Sequence, residues 1–128
     1  MRLPERTPDQ DDELIHAAHA SRHHWAEVGT AANVARGEWQ VSRVYATLGR
    51  AEPALYHARR CLAHCESDPD ALEEWDLPYA YEALARAHAV SGERDEAARC
   101  AARASELGAK IEDAEDREQL EADLATLP

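Results

Sequence analysis

Tyr45-Ala46-Thr47-Leu48-Gly49-Arg50-Ala51-Glu52-Pro53-Ala54 is answered further along the chain by His88-Ala89-Val90-Ser91-Gly92-Glu93-Arg94-Asp95-Glu96-Ala97. The two glycines stand 43 residues apart, each is followed five residues later by an alanine, and Cys61 and Ala104 recur seven residues beyond those alanines. Glycine after a helical run is an ordinary stop, because it accepts the left-handed backbone that ends the hydrogen-bond ladder. Small residues at a fixed distance beyond it let a second helix cross the first closely. The pattern is a helix, a glycine turn and a second helix, used twice.

Working outward from these turns, glycine and proline divide the remainder of the chain. Thr7-Pro8 supplies an N-cap and a first-turn proline for a helix running to about Val28 and stopped by Gly29. Thr30 caps a second helix that ends near Leu48, with Gly49 in the left-handed position. A third helix spans about Ala51 to Glu66, its Pro53 tolerated in the first turn. Ser67-Asp68-Pro69-Asp70 is a loop. A fourth helix covers about Leu72 to Ser91, irregular around Asp76-Leu77-Pro78. A fifth runs from about Arg94 to Leu107 and a sixth from about Ala109 to Thr126. Short connections make neighbours antiparallel. All five glycines read as helix stops or turns, so none cradles a phosphate.

Together, these hairpins resemble the tetratricopeptide repeat over residues 31–108. Its usual period is about 34 residues, so these units are longer. Val41-Ser42 and Leu84-Ala85 stand where that family usually carries Leu-Gly. The resemblance implies an all-α fold of about six helices, in antiparallel pairs stacked as a short right-handed superhelix. It divides the chain into an N-terminal packing helix (1–29), repeat one (30–67), repeat two (72–108) and a C-terminal capping helix (109–128).

Composition limits the function. The chain has 128 residues and a formal charge of −12, which argues against a nucleic-acid or anionic-membrane surface. No apolar run approaches the roughly 18 residues of a membrane span, and no signal-like segment opens the chain, so a cytoplasmic protein is expected. Phenylalanine is absent, leaving Trp25, Trp39, Trp75, Tyr45, Tyr56, Tyr79 and Tyr81 as the large anchors. Cys61, Cys65 and Cys100 are an odd number placed within helices, and read as reduced core thiols. With no HExxH motif and no serine beside an evident base, a non-enzyme without a cofactor is expected.

Binding is the expected work. Arg36, Trp39 and Arg43 share one helix face at i, i+3 and i+7. Aligning the turn glycines, the resemblance puts them on a concave groove with Tyr79, Glu82 and Arg86 of repeat two. Guanidinium forks bind carboxylates bidentately and stack on rings. Between Ala31 and Cys65 the only acids are Glu38 and Glu52, against Arg36, Arg43, Arg50, Arg59 and Arg60. The expected ligand is therefore a protein or peptide bearing a carboxylate. The blander expectation is that the arginines pair with the protein's own acids and Trp39 is core.

Histidines offer a second function, metal binding. His16, His19 and His23 lie at i, i+3 and i+7 on the first helix. The buried stripe expected there is Leu14, Ala18, Ser21, Trp25 and Val28, which turns these three toward solvent. His24 flanks that stripe. His57 and His64 flank Cys61 and Cys65 on the third helix, where two small buried thiols are the plainer reading. A joint His/Cys site across the first and third helices is the metalloprotein alternative. A self-associating scaffold is the third reading. On the last helix Leu120, Leu124 and Leu127 lie opposite Ile111, at ~100° per residue. Either that helix bends near Asp116, or one face is buried in a homodimer. The acidic run from Glu112 to Asp123 is expected to be a solvated face.

Overall fold

Capping chemistry fixes where the helices begin. The Gln10 amide donates to Thr7 Oγ1 at 3.2 Å and the Thr7 amide to Gln10 Oε1 at 3.0 Å, a reciprocal capping box. Thr30 Oγ1 accepts from the Asn33 amide at 3.4 Å, and Asp113 Oδ1 from the Asp116 amide at 2.9 Å. A computed structural model describes residues 6–128, the Trp25 and Val28 side chains excepted. The described chain forms α1 (Pro8–Val28), α2 (Ala31–Thr47), α3 (Ala51–Ser67), α4 (Asp76–Val90), α5 (Arg94–Gly108) and α6 (Ala114–Ala125), with one 3-10 turn at Pro69–Ala71. The protein is all-α, with no strand among the described residues.

Both repeat turns close identically. Gly49 has φ 74° and Gly92 φ 83°. The Arg50 amide donates to the Tyr45 carbonyl and the Gly49 amide to Ala46; in the second turn Glu93 donates to His88 and Gly92 to Ala89. These are matching Schellman motifs. α2 packs on α3 and α4 on α5, α1 covers α2, and α2 also touches α4, while α6 closes against α4 and α5. Alanine makes the crossings close: Ala54, Ala58, Ala80, Ala85, Ala87 and Ala104 are fully buried. Ser42 Oγ donates to the Ala54 carbonyl at 2.8 Å across the first hairpin.

Three expectations need correcting. α4 begins at Asp76, because Glu73 and Asp76 close a turn ahead of it: the Glu73 amide donates to Asp76 Oδ2 at 2.8 Å and the Asp76 amide to the Glu73 carbonyl at 3.1 Å. α6 begins at Ala114, because Ile111 is drawn into the core at 1% exposure and its carbonyl accepts from Arg117 at 2.8 Å. That break separates the two apolar stripes, and Leu120 is buried within the same chain, while Leu124 and Leu127 are half-buried. On α1, Leu14 is 40% exposed while Ala18 is buried and Ile15, His19 and Arg22 are half-buried, so the inward face is rotated from the expected stripe. The Trp25 and Val28 side chains of that stripe lie outside the described residues.

Two glycines are neither left-handed stops nor turns. A β-carbon at Gly37, inside α2, would lie 3.1 Å from the Arg22 Cα, so its absence lets α1 cross closely. A β-carbon at Gly108 would lie 2.3 Å from Leu120 Cδ2. Gly108→Val should therefore lower stability by roughly 1–3 kcal/mol through overpacking, read as a shift of the urea midpoint at unchanged slope. A midpoint equal to wild type would mean that Leu120 yields freely.

Candidate functional site

α2 and α4 face each other across a cleft of about 530 Å³ that α6 helps to wall. Trp39 and Tyr79 stand edge to face at 5.6 Å, and Trp75, from the lead-in to α4, completes an aromatic lining. Arg36 also lines the cleft, with its guanidinium 4.4 Å from the Trp75 ring centre. Arg43 lies 5.8 Å from the Trp39 ring.

Expected groove residues do converge, but their charges are already matched. Arg36 holds Asp76 bidentately, Nε to Oδ1 at 2.9 Å and Nη2 to Oδ2 at 2.8 Å, and this bond raises the arginine's pKa. Glu82 is fully buried and accepts from Trp39 Nε1 at 2.9 Å, Arg86 Nε at 2.9 Å and, more loosely, Arg43 Nη1 at 3.5 Å. Arg86, itself 7% exposed, continues to the Asp123 carbonyl at 3.0 Å and Thr126 Oγ1 at 2.9 Å. Tyr79 donates its hydroxyl to Asp123 Oδ2 at 2.6 Å; burial, then that bond, pushes its pKa well up. Asp76 thus matches Arg36, and Glu82 is shared by Arg43 and Arg86, while the Asp123 carboxylate is held by Tyr79. Glu82 and Arg86 are interior struts rather than groove walls.

The pattern argument missed Trp75, Asp76, Cys61 and Asp123 as neighbours of the cleft. Trp75 and Asp76 fell within the span read as the fourth helix, irregular around Asp76-Leu77-Pro78. Asp123 fell in the acidic run read as solvated, yet it is half-buried between Tyr79 and Arg86. No spacing rule flags a carboxylate whose partners arrive from another helix.

Histidines are distributed differently from expectation. His16 and His23 are exposed, and His23 pairs with Glu27 at 3.1 Å. His24 is also exposed. His64 lies beside Arg60 at 3.4 Å, its pKa lowered by burial and by that arginine. His19, expected in solvent, turns inward: its Nε2 shares a 2.9 Å hydrogen bond with the Tyr45 hydroxyl, and its ring lies 5.3 Å from that of His57. His57 Nδ1 bonds Glu38 Oε2 at 2.7 Å, and Arg22 donates to Glu38 Oε1 at 2.7 Å. The α1–α3 proximity anticipated from sequence therefore builds a polar strut around buried Glu38. Among the described residues no three histidine, cysteine or acidic side chains are gathered to hold a metal ion.

This strut makes the fold acid-sensitive. Burial, then the neighbouring His57, lowers the His19 pKa below 6.5, so the unfolded chain takes up that proton first. Its contribution is present above pH 6.5 and shrinks as pH falls below it. Burial raises the Glu38 pKa, but bonds from His57 and Arg22 outweigh it and hold it below 4.5, so its share is lost at still lower pH. The melting temperature should drop from pH 7.5 to 5.5, and His19→Gln should flatten that drop in scanning calorimetry. An equal drop in the variant would assign the effect elsewhere.

The class defined by this architecture is an all-α protein of helices packed in adjacent pairs, compatible with a helical repeat. No family model, curated protein or solved structure matches the chain. No described helix is long and apolar enough to cross a membrane.

Proposed function

We propose that this protein is a non-catalytic binding module of tetratricopeptide type that holds a peptide segment of another protein in the cleft between α2 and α4. The observation that carries this reading is the convergence of Trp39, Trp75 and Tyr79 on one open cleft of about 530 Å³. Flat rings on rigid helices offer contact area at little entropic cost, as in other protein recognition sites. The cleft is of a size to take one apolar or aromatic side chain of the peptide. Arg36 and Arg43 keep 36% and 27% of their side chains exposed, enough to share a hydrogen bond with a carboxylate beside that anchor. Because their charge is already balanced by Asp76 and Glu82, apolar contact supplies most of the affinity and the carboxylate fixes orientation. The paired Schellman turns 43 residues apart and the α2–α4 contact support the repeat assignment. Three free thiols, two of them buried, fit a reducing cytoplasm.

Peptide arrays varying an aromatic or leucine next to a carboxylate would test the cleft, with hits measured by calorimetry. Gln119 is exposed and lines the cleft, so Gln119→Trp should fill it and abolish binding with the fold intact. Arg43→Gln should weaken binding roughly tenfold, the ~1.4 kcal/mol of one charge-assisted bond. Arg86 is unsuitable for charge reversal, since a glutamate there would face buried Glu82. Wild-type affinity in both variants would remove the cleft as the site.

A further inference from the structure

Cys61, which lines the cleft, and its neighbour Cys65 are thiols that peptide binding does not use. Cys61 and Cys65 are one helical turn apart on the inward face of α3, at 2% and 1% exposure. They sit in one cluster with Ala35 and Ala80, and Cys61 lines the cleft with Cys65 one turn behind it. Cys65 Sγ donates to the Asp76 carbonyl at 3.9 Å, and the closeness of the two thiols lowers the pKa of Cys65 while raising that of Cys61. Nitrogen and carboxylate donors nearby are engaged elsewhere: His57 is held by Glu38, and the Asp76 carboxylate by Arg36.

We propose that Cys61 and Cys65 form a two-thiolate site for a soft monovalent d10 ion, with Cu(I) as the chemical type. Thiolates select soft ions over Mg(II), and four-coordinate zinc would need further ligands that are not gathered around this pair among the described residues. Binding is a ligand exchange without electron transfer: two S–H bonds break, two Cu–S bonds form, two protons leave to solvent, and a complex of charge −1 remains. The surrounding Ala35, Ala80 and Trp39 side chains hinder the approach of dioxygen, the oxidant of Cu(I).

Reduced protein, kept anaerobic, would be titrated with Cu(I) against bicinchoninate as a competing chelator. Wild type should withhold one ion per chain. Cys61→Ala and Cys65→Ala should each surrender it, and Cys100→Ala should keep it. Alanine is tolerated at this repeat position, where Ala104 is the counterpart of Cys61, and circular dichroism verifies each variant's fold. A wild type that yields all its copper, a Cys61/Cys65 double variant that retains it, or loss confined to Cys100→Ala would each overturn the proposal. Copper-edge X-ray absorption of the loaded wild type gives a reading free of any variant. Two sulfur neighbours are expected, and a nitrogen or oxygen shell would overturn the site.

Discussion

Glu82 is the carboxylate around which the second half of the molecule is arranged. A fully buried charge is tolerable only when it is paired and hydrogen-bonded, since its desolvation cost is several kcal/mol. Trp39 and Arg43 reach it from α2, and Arg86 from its own helix. Arg86 then continues to the end of α6. One buried anion thereby fixes the spacing of three helices, and the cleft is the space left between them. Glu38 does the same on the other side, gathering Arg22 of α1 and His57 of α3.

An alanine interior explains why polar struts carry this load. With alanine at most fully buried crossings, backbones approach closely but each contact buries little apolar area. The larger side chains are pushed to the edges of the hairpins. Tyr56 is 59% exposed, while Trp39, Trp75 and Tyr79 meet at the cleft. Three of the protein's large aromatic side chains thus line one concavity.

Helix count, order and turns were legible because they rest on local chemistry. Thr7, Thr30, Gly49 and Gly92 act within a few residues of themselves, and the structure places each where local rules put it. The convergence of Arg36, Trp39 and Tyr79 followed from helical spacing and the repeat register. The face of α1 was misjudged because wheel reasoning sends polar residues outward, whereas Arg22 and His19 are drawn inward by Glu38 and Tyr45. Gly37 was misread as a stop because its role is to admit another helix, which no local pattern records, whereas Gly108 both ends α5 and makes room for Leu120.

Sequence by itself determined that this chain is a set of antiparallel helix pairs, since caps, glycine stops and apolar period depend on neighbours along the chain. Only the tertiary structure decided which charges are spent internally and which walls enclose the cleft. Asp76, Glu82 and Asp123 meet their partners across 40, 43 and 44 residues of sequence, through Arg36, Trp39 and Tyr79 respectively. Electrostatic pairing depends on distance in space, and at those separations it is set by how the helices pack.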